Sequence, residues 1–330
     1  MVGLSRDVRR IAAGMAFRLA YRRPQGHGGN MAAPSSPRPS VIGVPEADAD
    51  AAADREFGPG PGGPGPDPGP AQEAGIEPSA SSAAWPPGPD YLPSVVPHDR
   101  LAGCAAAHRR LLDLVERVDD DVLRRPSGLP GWTVAHLLTH LARNAESHSG
   151  MVEAATGGDV RDQYPGGQEQ RDRDIAAGRD LPAATVRAEV AAAVARLERA
   201  WDAVHVDAWR TGFGRVSTYG VTTLADLVFL RWRETEIHLV DLALADLGGP
   251  GWADLSPAYV EVEWAWTVRG LPSRLPPEVT VLLAPGDRPS TAVGRGEELV
   301  VVDVPTIPAL AWLTGRDPGR PDWPELGPWT

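Results

Sequence analysis

Lysine is absent from this 330-residue chain, so its 32 Lys-plus-Arg positions are all arginine. The absence excludes a Walker A loop, which needs a lysine on the nucleotide phosphates, and a pyridoxal or aldolase Schiff base, which needs a lysine amine. Cysteine is almost absent: Cys104 stands alone, which excludes an internal disulfide framework and every CxxC redox or zinc pattern. In the alanine-rich stretch Leu101 to Ala107 it is expected to be buried as a small hydrophobe. No apolar run approaches the roughly 18 residues of a membrane span. Positive charge is in deficit as well. The net charge of -12 argues against general affinity for nucleic acid or an anionic membrane, both of which need a basic surface.

What is abundant divides the chain in two. Of 34 prolines, 16 fall between Met31 and Arg100, together with 9 glycines, too little apolar surface to offset chain entropy. Residues 1–92 are therefore expected to form a disordered Pro/Gly-rich N-terminal extension. Its arginine-rich start, residues 1–23, lacks the apolar core and cleavage site of a secretory signal. An extended start, with Met31 as the candidate initiator, and a cytoplasmic location are the expectation. Gly58, Gly60 and Gly63 satisfy GxGxxG, but prolines every few residues replace the strand and helix that a dinucleotide site requires. The match is low complexity. The bias toward arginine, alanine, glycine and proline reads as a GC-rich bacterial genome.

Beyond Pro97 the apolar residues recur with helical period. Leu101, Ala105, Leu111, Leu112, Val115 and Val118 predict a helix over about 97–120. A second starts after Thr133, a candidate N-cap, and runs toward Val152. Residues 157–178 are polar and glycine-broken and read as a long loop with room for a helical turn. A third helix is expected over 183–204 and a fourth from Thr222 or Thr223 to Leu247, closed by Gly248 and Gly249. After Gly251 the periods alternate: a helix over 256–269, strands over 279–283 and 299–304, and a short helix over 307–313. The prediction is a helix bundle at 93–249 followed by a small α/β domain at 250–330.

Two helices carry chemistry-bearing pairs. Glu234 and His238 stand i, i+4 on the fourth helix, on the stripe with Leu227, Leu230 or Arg231, and Asp241 or Leu242. A carboxylate facing the bundle interior needs a partner, either a metal or an arginine. His136 and His140 repeat the spacing on the second helix. Two histidines and one glutamate are a three-ligand set that leaves a divalent metal an open position. The order HLLTH is not HExxH, because Leu137 replaces the general-base glutamate. A di-iron carboxylate site also fails for want of ExxH. The alternative is that the histidines are satisfied core residues and Glu234 bridges to Arg231 or Arg233 at the surface. His27, His98, His108, His148 and His205 show no convergent pattern and read as ordinary.

Three segments in fixed order carry a resemblance. Leu129-Pro-Gly-Trp-Thr-Val-Ala-His-Leu-Leu-Thr-His-Leu-Ala-Arg-Asn144 comes first. Tyr164-Pro-Gly-Gly with Arg171-Asp-Arg-Asp-Ile175 follows, then Leu230-Arg-Trp-Arg-Glu-Thr-Glu-Ile-His-Leu-Val-Asp-Leu242. Over about residues 95–330 the chain resembles the mycothiol-dependent maleylpyruvate isomerase family. Ala309 to Arg316 and Trp323 to Trp329 look like that family's second domain.

The resemblance implies a DinB-like four-helix bundle that binds one divalent metal, usually zinc, with mycothiol as thiol cofactor. Its implied ligands are His140, Glu234 and His238, with His136 in reserve. Arg171 would hold a substrate carboxylate or stabilise developing negative charge; its plainer role is a salt bridge among Glu169, Asp172 and Asp174. Leu239 departs from the family's commoner second histidine and leaves the ligand spacing intact. The implied activity is cis-trans isomerisation of maleylpyruvate or a related unsaturated acid. A mycothiol S-transferase on the same scaffold and a non-enzymatic metal-binding or interaction protein are the alternatives. The partners expected are a small-molecule substrate and a low-molecular-weight thiol, with no nucleic acid, no membrane, and a monomeric chain.

Overall fold

The computed structural model describes residues 95–329. The expected N-terminal extension, its GxGxxG match and Met31 lie outside the described residues. The apolar stripe predicted first forms α1, His98–Val115, whose buried Cys104, Ala107, His108, Leu111, Leu114 and Val115 recur every three or four positions. It ends earlier than expected. Asp119 caps a separate one-turn helix, α2, Asp120–Leu123, by accepting from the amides of Asp121 and Val122.

Thr133 caps α3, Val134–Thr156, as predicted, accepting from the His136 amide. His136 Nδ1 in return accepts from the Thr133 amide at 3.1 Å, a capping box that occupies one of its ring nitrogens. The expected loop over 157–178 is half helix: α4 spans Gly167–Gly178. Only Ile175 among its side chains is apolar and buried, so the sequence pattern is too polar to reveal it. Tertiary contact makes the helix. Gly178 sits so close to α3 that a Cβ there would lie 2.0 Å from Thr139 Oγ1.

Helix α5, Ala183–Asp202, follows, then the short α6, Val206–Thr211, and a hairpin that sequence periodicity did not reveal. Its strands β1, Phe213–Val216, and β2, Gly220–Thr223, pair antiparallel with Phe213 opposite Thr223. The hairpin leads directly into α7, Leu224–Asp241, capped by Thr223. Helix α7 stops at Asp241 and not at Leu247. The Asp241 carbonyl is taken by the Gly128 amide at 2.6 Å, an approach open because a Cβ at residue 128 would lie 3.1 Å from that oxygen. Ala243 then turns to φ 54°. A 3-10 turn at Ala245–Leu247 precedes the left-handed Gly248.

Helices α1, α3, α5 and α7 each pack against two of the others, α1 on α7 and α5, α3 on α5 and α7. Their apolar faces join one core with the remaining elements. These are α8, Pro257–Gly270, the strands β3, Val279–Leu283, β4, Thr291–Gly294, and β5, Glu298–Val302, and α9, Thr306–Leu313. Strand β4 was not expected. It pairs antiparallel with β3, and β3 pairs parallel with β5, so the sheet order is β4-β3-β5. A buried ion pair ties α8 to α7. Arg233 Nε lies 3.0 Å from both carboxylate oxygens of Glu263, which also accepts from Tyr259 and Thr267 hydroxyls. Among the described residues no helix is long and apolar enough to cross a membrane.

Candidate metal centre

Helices α3 and α7 bring His140 against Glu234 and His238, residues some 90 positions apart in sequence. His140 Nε2 lies 2.9 Å from Glu234 Oε2, and His238 Nε2 lies 3.3 Å from the same oxygen. The two imidazoles meet edge to face with centroids 4.9 Å apart. One ligand atom from each of the three residues falls within 4.8 Å of the others. Both histidines are buried, and Glu234 is half-buried. His136 does not join them; its Nδ1 is spent on the helix cap.

The surroundings orient this trio. His238 Nδ1 lies 2.9 Å from Asp241 Oδ2, and Arg316 Nη2 holds that same carboxylate oxygen at 2.9 Å. With its Nδ1–H on Asp241, His238 turns an Nε2 lone pair toward Glu234. That Nε2 is buried without a hydrogen bond. A lone pair and a carboxylate facing each other repel unless a proton or a cation lies between them. In the metal-free protein a proton does so: burial opposes it, but Asp241 and Glu234 together lift His238 to about 9. His140 moves the other way. Burial outweighs its bond to Glu234 and pulls it to about 4. The two histidines hold Glu234 well below the usual carboxylate range despite its burial.

The trio lies beside a cavity of about 410 Å³ lined by His140 and Glu234. Arg171 from α4 also lines it. It is buried, with Nη2 3.3 Å from His140 Nδ1 and Nη1 2.8 Å from Asp172 Oδ1. The salt bridge expected of Arg171 is formed with Asp172, and the same guanidinium borders the trio. Tyr164, below its guanidinium at 5.8 Å, comes from the preceding loop. Tyr219 from the β1–β2 turn, Arg233 from α7 and Trp329 close the far side. Trp329 is stacked between Arg233 and Arg316, 4.0 and 4.1 Å from its ring centre.

The surface bridge from Glu234 to Arg231 or Arg233 is not formed. Both arginines are buried, Arg231 against His108, Leu141 and Asn144, Arg233 against Glu263 and Tyr219. Cys104 is buried too, and burial pushes its thiol well above the usual range.

Residues 104–243 match the family model described as the mycothiol maleylpyruvate isomerase N-terminal domain. The match assigns this domain, residues 104–243, to that family. Two solved structures resemble it: a mycothiol-dependent maleylpyruvate isomerase and a histidine-to-alanine variant of that enzyme. They are 24% and 23% identical, each with a TM-score of 0.60, covering 67% of this chain and 90% of theirs. At that identity the likeness is one of fold. A search of curated proteins finds no match.

Some residues of the cavity had escaped sequence reasoning. Asn144 and His148 follow His140 at i+4 and i+8 on α3 and line the same cavity. The helical stripe running on from His140 was the signal. His148 is buried and held near 3 by that burial, and its Nδ1 has no partner. Arg316 and Trp329 end the two segments that resemble the family's second domain, but only the tertiary fold brings them to the site.

Proposed function

We propose that this chain is a metal- and mycothiol-dependent cis-trans isomerase of maleylpyruvate or a related unsaturated acid. Its scaffold is then a DinB-like four-helix bundle, residues 93–249, with a small α/β domain at 250–330. The observation that carries the reading is the His140–Glu234–His238 trio, where two buried imidazole nitrogens converge on one carboxylate oxygen beside a cavity. Two imidazoles and one carboxylate suit a catalytic zinc-type ion with an open coordination position. Asp241, held in turn by Arg316, would fix the tautomer of His238.

When bound, the metal and mycothiol would supply a thiolate able to add reversibly to an activated double bond. The chain's own residues do the rest. Cys104 is withdrawn from the chemistry by burial, so no internal thiol competes. Arg171 would hold a substrate carboxylate at the mouth of the trio, a use suited to the flat guanidinium fork. Tyr164 and Trp329 supply apolar walls that displace water and strengthen this charge pairing. We assign the reaction to the cytoplasm, where a reduced thiol pool persists.

Elemental mass spectrometry of the full chain and of His238→Ala tests the metal; an assay with mycothiol and maleylpyruvate tests the activity. About one divalent ion per chain, lost in the variant, and isomerisation without thiol consumption are expected. Metal-free protein indifferent to mycothiol would refute the reading. Thiol consumed with substrate would identify a transferase in its place.

A further inference from the structure

Arg231 is fully buried at the centre of the bundle, yet no carboxylate among the described residues pairs with it. Its Nε donates to His108 Nε2 at 3.1 Å. Nη1 donates to the Leu141 carbonyl at 3.0 Å and to Asn144 Oδ1 at 2.9 Å, and Nη2 has no partner. His108 offers no negative charge. Burial holds it near 4, so it is neutral at physiological pH, and its Nδ1 faces Glu198 at 3.0 Å. A guanidinium held mainly by neutral acceptors in a dry interior is costly to keep. An apolar side chain would close the core at less cost, so the charge needs a reason.

Its contact with Asn144 supplies one. A guanidinium has donors only. The Asn144 amide oxygen must therefore face Arg231, and its Nδ2 must turn away. Asn144 is 1% exposed and lines the 410 Å³ cavity. Arg231 takes Oδ1, which leaves the Nδ2 hydrogens for another acceptor. The bond to Arg231 thus removes the usual ambiguity of an asparagine amide and presents two N–H donors to the cavity, polarised by the positive charge behind them. The position is informative. Asn144 is one turn beyond His140 on α3, and Arg231 is one turn before Glu234 on α7.

We infer that Asn144, oriented by Arg231, receives the keto or carboxylate oxygen of the bound substrate beside the metal trio. The inference rests on the isomerase reading and adds a residue to it. When a nucleophile adds to a double bond conjugated with a carbonyl, the new bond forms at the alkene carbon. The alkene π pair shifts toward the carbonyl carbon, and the carbonyl π pair moves onto oxygen. After rotation about the resulting single bond, the same electrons return and the nucleophile leaves. Asn144 transfers no proton in either direction. It donates hydrogen bonds to the oxygen on which charge accumulates, where preorganised donors act most strongly. Arg231 is the positioning residue, since it acts through Asn144.

Maleate, a cis dicarboxylate with acceptor oxygens and no keto group, is the probe, titrated by calorimetry into the full-length metal-loaded protein without thiol. Asn144→Ala should weaken its binding about 10-fold, the loss of one hydrogen bond to a charged acceptor. Asn144→Asp is the sharper variant. It keeps the side-chain volume and gives Arg231 a carboxylate, so its melting temperature should equal or exceed that of the wild type. Maleate affinity should nevertheless fall at least as far as in Asn144→Ala. A purely structural asparagine predicts changed stability with maleate binding unmoved. Variants that bind maleate within about twofold of wild type, or a wild type that does not bind it, would overturn the inference. Failure of thiol-dependent isomerisation would instead strike the isomerase reading and leave the titration interpretable by itself.

Discussion

Zinc affinity should depend on pH with a slope set by one residue, His238. In the metal-free protein Asp241 and Glu234 lift His238 to about 9, whereas burial pulls His140 to about 4 and Glu234 lies well below the ordinary carboxylate range. Between about pH 6 and 8 the trio therefore holds one proton, on His238, which a metal must expel. One proton released means affinity weakens tenfold for each unit the pH falls, or about 100-fold from pH 8 to 6, near 2.7 kcal/mol. Asp241→Asn removes the first-named support for that proton. His238 should then fall toward or below its ordinary 6.5, and the slope should flatten above about pH 7. Loss of the orienting carboxylate should itself cost about 10- to 100-fold in affinity. Competition against a chromophoric chelator at fixed ionic strength would measure both, with calorimetry in buffers of different ionisation enthalpy counting the proton. A wild-type affinity flat from pH 6 to 8, or an unchanged slope in Asp241→Asn, would refute this account of the site.

Two further outcomes follow from the interior. His108, His140 and His148 are held by burial near 4, 4 and 3, below the value of about 6.5 they regain on unfolding. The unfolded chain then binds more protons, so stability should fall as pH drops from about 6.5 toward 4, by up to about 1.4 kcal/mol per pH unit for each histidine. His238 has the opposite sign: its contribution to the metal-free protein is full below about 6.5 and lost as pH rises toward 9. Urea midpoints should peak near pH 6.5, and His148→Gln should make the acid limb shallower; an unchanged limb would count against a neutral buried His148. Gly178→Ala should destabilise the protein by about 1–3 kcal/mol through overpacking, because the new Cβ would strike buried Thr139. It should also weaken maleate binding by displacing Arg171, two turns back on α4; wild-type melting and affinity would show that α4 does not dock as described.

Local spacing determined a great deal. Helical period alone places His140 on the inner face of one helix and sets Glu234 and His238 one turn apart on another, because backbone geometry projects residues i and i+4 the same way. Thr133 announces its cap for an equally local reason, a side-chain oxygen within reach of its own helix's free amides. Tertiary structure decided the rest. Helix α4 is too polar to show a period and exists because Gly178 and Ile175 find α3 and the core. Helix α7 ends at Asp241 because the Gly128 amide, far back in the chain, captures its carbonyl. His136 and His140 are equivalent by spacing, and only the fold shows the first spent on a cap and the second facing Glu234. The same holds for Arg231 locking Asn144 and for Arg233 and Arg316 enclosing Trp329. Sequence determines which face of an element a residue occupies; which face it meets depends on contacts closed across tens of residues, and no local period encodes them.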